Sequence, residues 1–155
     1  MIMKHLSALV LAAGFLGTVA VTSASAQVAR DQSYYEEVRV GNCSIGNCAL
    51  EFSTVPQLIL FSKVNCFVAV TGGILYAVVF EIRDVSGATS PTRRREFLQF
   101  PSASTVASTN YYNFVNPTDF MVSAPRLPVV EAFLSGGNNG SIECKITGRL
   151  VSDPH

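Results

Sequence analysis

Four cysteines are the first residues whose type and spacing invite chemistry. Cys43 and Cys48 lie in "VGNCSIGNCALEF", residues 40–52, and Cys66 and Cys144 follow far along the chain. A zinc site needs thiolates or imidazoles within tetrahedral reach of one ion. Here four, seventeen and seventy-seven residues separate successive cysteines, and the two histidines are His5 and His155. The Cys-x-x-Cys spacing of redox centres is missing. Neither a metal nor a cofactor is expected. The chain opens like an exported one, and an even set of cysteines in such a chain reads as two disulfides. Gly46 and Asn47 bend readily, so Cys43 with Cys48 is the favoured pair, leaving Cys66 for Cys144.

Other chemistry finds little support. Without an internal histidine, a Ser-His-Asp or Cys-His system cannot be assembled. No Walker loop or glycine-rich nucleotide fingerprint is present. Carboxylate chemistry of the glycosidase type needs two acids roughly 5–10 Å apart. Its candidates are Glu36, Glu37, Glu51, Glu81, Asp84, Glu96, Asp119, Glu131 and Glu143. Solvated strand faces account for most of these.

Two stretches suit binding. "TRRRE" carries Arg93, Arg94 and Arg95, whose guanidinium forks match phosphate, sulfate or carboxylate. The competing reading is a charged strand that guards a sheet edge against aggregation. "STNYYNFVNP", residues 108–117, offers Asn110, Tyr111, Tyr112 and Asn113, which combine rigid contact area with adaptable hydrogen bonding. On a strand, one tyrosine of such a pair points inward and fills core; Tyr34 and Tyr35 form a second pair of this kind.

These residues need elements to hold them. The first 26 residues read as a secretory signal peptide: Lys4 and His5, an apolar run, then "TSASA" with Ala24 and Ala26 in small-x-small spacing. The apolar run is short for a bilayer span. Residues 27–155 then form a single domain with no integral membrane segment. With Lys4 removed, 10 basic residues face 11 acidic ones, a net charge near −1. That balance gives no electrostatic call to nucleic acid.

The mature chain alternates with period two, the pattern of half-buried strands. In residues 58–70, Leu58, Leu60, Val64, Cys66, Val68 and Val70 share one face. In residues 74–83, Ile74, Tyr76, Val78, Phe80 and Ile82 share one face, with Glu81 and Arg83 on the other. A three-residue "TGG" loop between the runs predicts a hairpin that pairs Val70 with Ile74, Cys66 with Val78 and Lys63 with Glu81. Near the C-terminus a Gly/Asn-rich turn predicts a second hairpin. It pairs Leu134 with Ile142, Ala132 with Cys144 and Glu131 with Lys145. Further strands are expected near residues 34–40, 48–53, 94–100, 111–115 and 119–124. Prolines 56, 91, 101, 117, 125 and 128 fall between runs.

About eight or nine strands imply an all-β antiparallel sandwich, jelly-roll-like in its connections. An immunoglobulin-like sandwich is the runner-up, weakened by the absence of tryptophan. The expected function is a periplasmic or secreted, non-catalytic module that binds a protein, glycan or envelope component. A secreted enzyme inhibitor and a carboxylate-based glycan hydrolase are the alternatives.

Overall fold

The computed structural model describes residues 27–31, 33–43, 46–85 and 92–151. The expected signal peptide, residues 1–26, lies outside the described residues. Eight strands run in chain order: β1 (Gln27–Asp31), β2 (Tyr34–Cys43), β3 (Asn47–Glu51), β4 (Ile59–Asp84), β5 (Thr92–Phe97), β6 (Ser104–Val106), β7 (Thr109–Val122) and β8 (Arg126–Leu150). All pairings are antiparallel.

The two longest strands form a spine. β4 and β8 pair along their whole length, from Ile59 opposite Leu150 to Asp84 opposite Arg126. The first half of β4 and the second half of β8 are flanked by β7 and β2, with β6 and β1 outermost. The other halves are flanked by β5 and β3. The result is two layers, a larger sheet β1-β2-β8-β4-β7-β6 and a smaller sheet β3-β8-β4-β5, that share one bent ribbon. Their inner faces enclose a single apolar core. Phe61 and Phe120 of the larger sheet meet Phe80 of the smaller one at ring-centre distances of 5.7 and 5.1 Å. This is the expected all-β antiparallel sandwich.

Neither expected hairpin forms. At "TGG" the chain does not reverse; Gly72 takes a positive φ of 69°, and the β4–β8 register shifts between Thr71 and Gly73. Across the ribbon, Gly136 takes a φ of 68° and lies opposite Gly73. Positive φ suits glycine, and an irregular residue at a bulge bends and twists its strand. Two glycine bulges at one level therefore fold the whole ribbon over, where a hairpin would fold one strand back on itself. Val70 lies opposite Gly140 and Asn110, not Ile74; Cys66 lies opposite Cys144, not Val78; Lys63 lies opposite Thr147, not Glu81. Likewise Leu134 faces Leu75, Ala132 faces Val78 and Cys48, and Lys145 faces Asn65 and Val38.

Two further register shifts on β4 reverse the inward face locally. One lies between Phe61 and Lys63, so Ile59 and Phe61 are buried rather than Leu58 and Leu60. The other lies between Leu75 and Ala77; Ile74 and Tyr76 are 52% and 58% exposed, and Leu75 is buried. The expected strands near residues 111–115 and 119–124 are one strand, β7, running through Pro117. Pro128 also lies within a strand, where its carbonyl accepts the Phe52 N–H. β1 and β6 had no counterpart in the sequence pattern.

Cys43 bonds Cys48, and Cys66 bonds Cys144, the favoured pairing. The long-range bridge joins directly opposed residues of neighbouring strands, with Cα atoms 4.2 Å apart. In the immunoglobulin fold the bridge crosses between sheets. Here it fastens the spine sideways and fixes its register.

Candidate functional site

The arginine run separates once β5 lies beside β4. Arg95 reaches the Glu81 carboxylate, which has no solvent exposure and also accepts from Arg83 Nε at 2.8 Å and Thr92 Oγ1 at 3.1 Å. Arg83 extends this network to Glu131 at 3.0 Å. Burial alone would raise the Glu81 carboxyl, but Arg83, Thr92 and Arg95 outweigh it and hold it below the usual range. Glu81 was expected on a solvated face opposite Lys63; the arginines around it are what cover it. Arg93 donates to Asp84 at 2.6 Å, and Arg126 approaches the other Asp84 oxygen at 2.8 Å. The Arg93 hydrogen bond, helped by Arg126, holds the Asp84 carboxyl low despite its burial. Arg94 lies over the Phe120 ring, 4.2 Å from its centre.

Glu37 is the second fully buried acid. Tyr35, Arg39 and both the backbone N–H and hydroxyl of Ser53 donate to it. Its place beside the chain leaving β3 makes it a structural clamp between the two sheets.

The tyrosine–asparagine stretch divides by face. Tyr112 is buried; its hydroxyl accepts the Leu75 N–H at 3.1 Å and ties the two layers together. Asn110 donates to the Gly73 carbonyl at 2.6 Å and accepts from Thr105 at 2.5 Å, bracing the bend in the ribbon. Tyr111 and Asn113 point to the outer face of the larger sheet. There the Tyr111 ring lies 6.0 Å from Phe67, which is 43% exposed.

Phe67 is the residue that the sequence reading missed. Register places Val40, Glu143, Phe67 and Asn113 in one row across β2, β8, β4 and β7. The adjoining row is Val38, Lys145, Asn65 and Val115. Glu143, Phe67 and Asn113 of the first row and Val38, Lys145 and Asn65 of the second line, with Glu36, a shallow concavity of about 310 Å³. Lys145 lies 3.4 Å from Glu36. Asn65, Asn113 and Glu143 make no side-chain hydrogen bond among the described residues. A phenyl ring on a face otherwise carrying Lys63, Asn65 and Thr71 was the available signal. The rest of the site comes from four strands whose register only the fold defines. Among the described residues no group of histidine, cysteine and acidic side chains is placed to hold a metal.

No family model matches the chain, and no curated protein matches it. Among solved structures it is similar to the cryo-EM atomic structure of broad bean stain virus, at 10% identity and a TM-score of 0.28. The match covers 89% of this chain and 97% of the viral one. A likeness this slight carries no functional argument.

Proposed function

We propose that the protein is an exported, non-catalytic binding module of the periplasm or cell exterior, and that it takes a glycan on the outer face of its larger sheet. The observation that carries this reading is the half-exposed Phe67–Tyr111 ring pair, set beside unpartnered amide and carboxylate groups of Asn65, Asn113 and Glu143. A sugar presents apolar C–H faces and a fringe of hydroxyls. Rings suit the first, and Asn and Glu side chains suit the second. Two disulfides support an oxidising compartment.

Affinity electrophoresis of the oxidised protein through gels containing soluble envelope polysaccharides tests the proposal. Retardation is expected, with Phe67→Ala weakening it about tenfold, the scale of one half-buried ring. The variant should keep the parent's thermal midpoint within a few degrees. Migration unchanged by any glycan, or retardation indifferent to Phe67→Ala, would sink the reading. A hydrolase at this face would instead release new reducing ends from the polysaccharide, with Glu36 and Glu143 the acids lining the concavity. An inhibitor would leave glycans alone and abolish the activity of a target enzyme on mixing.

A further inference from the structure

The geometry points to a second site, for a tetrahedral oxyanion such as a phosphate or sulfate group, at the end of the spine where β5, β7 and β8 converge. It is independent of the glycan face. Arg93 and Arg94 come from β5, and Arg126 opens β8. The three arginines line one concavity of about 220 Å³, with Ser123 on its wall and Ile82 and Val122 in its lining. Among the described residues that line it, none is acidic. A second concavity, of about 410 Å³, shares Arg93 and Arg126 and has Asp84 between them.

Charge and order both favour an anion here. Asp84 supplies one negative charge to two guanidiniums, accepting from Arg93 at one oxygen and facing Arg126 at the other. With Arg94, the cluster keeps a net charge of about +2 after Asp84 is counted, and the connecting residues 86–91, SGATSP, add no acid. The arginines are also held in place. Asp84 anchors Arg93 and Arg126, while the Phe120 ring supports Arg94. An arginine usually loses side-chain freedom when it grips a ligand; a restrained one loses less. The planar fork matches two oxygens of a tetrahedral anion, and a serine hydroxyl can donate to a third.

Titration of the oxidised protein with inorganic phosphate at constant ionic strength, followed by 31P NMR and calorimetry, tests the site. Saturable binding is expected. Arg94→Gln, which removes a guanidinium that bonds no acid, should weaken it about tenfold. Arg94→Lys keeps the charge but loses the fork, and should fall between the two. Arg149→Gln, an exposed position that lines neither concavity, controls for net charge and should change nothing. Each variant is first checked for a parental thermal transition; if Arg94→Gln fails this check, Arg94→Lys carries the comparison. A parallel titration with glycerol phosphate distinguishes an esterified ligand, which would bind more tightly than the free ion. Absence of saturation by either compound, or equal weakening by the Arg94 and Arg149 variants, would overturn the proposal.

Discussion

The Glu81 carboxylate lies under Arg83, Thr92 and Arg95 with no exposure of its own. Asp84, three residues on, is gripped by Arg93 and Arg126. Both acids are held below their ordinary values of 4.5 and 3.8. A carboxyl depressed on folding contributes stability that is fully present above its unfolded pKa and is lost as pH falls through its folded one. The urea midpoint should therefore be nearly level from pH 7 to about 5 and fall progressively below about 4.5. Glu81→Gln should lower the midpoint at pH 7 and shallow the acid fall, with Asp84 sustaining the remainder. Parallel acid curves for parent and variant would exclude Glu81 as a source. The sequence did not announce this role. Alternation assigned Glu81 to the outer face, which is correct, but an outer face need not be wet. What dries it is the arginine-rich β5, laid alongside by a pairing that periodicity cannot show.

At the scale of elements, the spine depends on backbone shape more than on any side-chain contact. Gly148 of β8 lies so close to β4 that an added Cβ would stand 2.6 Å from the Leu60 carbonyl oxygen and 3.1 Å from its carbon. Backbone cannot yield as a flexible side-chain tip can. Gly148→Ala should cost about 2–3 kcal/mol, the range of core overpacking. Gly72→Ala places a Cβ at positive φ, and should cost about 1–2 kcal/mol. Chemical denaturation of both variants gives the order; a neutral Gly148→Ala would mean the two strands separate more easily than drawn. These glycines also explain which parts of the topology were legible. Most strands could be read from alternation, because burial on one face imposes a period of two. The hairpins could not. "TGG" and "GGNNG" have turn chemistry, but the same residues serve equally where a strand must kink and continue. A bulge moves the following side chains to the opposite face, which is why Ile74 and Tyr76 stand outside.

For the molecule as a whole, the two bridges constrain very different lengths of chain. Cys66 and Cys144 are 78 positions apart, whereas Cys43 and Cys48 are 5 apart. On the chain-entropy account the long bridge stabilises by roughly 4.5 kcal/mol and the short one by about 2. Replacing Cys66 and Cys144 by alanine should thus lower the urea midpoint about twice as far as replacing Cys43 and Cys48; the reverse order would refute that account for this domain. Pairing was readable because both distant cysteines were expected to face inward, and they do. The neighbours assigned to them were wrong, since the bridge runs within one ladder.

β8, the central partner of β4 in both sheets, is also the last of the eight strands. A chain emerging N-terminus first can pair β1 with β2, and β4 with β5 and β7, but neither layer has its middle until residues 126–150 arrive. Closure of the Cys66–Cys144 bridge must wait for the same segment. Assembly is therefore deferred rather than progressive. The partly emerged polypeptide carries open strand edges and an unpaired thiol at Cys66 until its final strand supplies the spine.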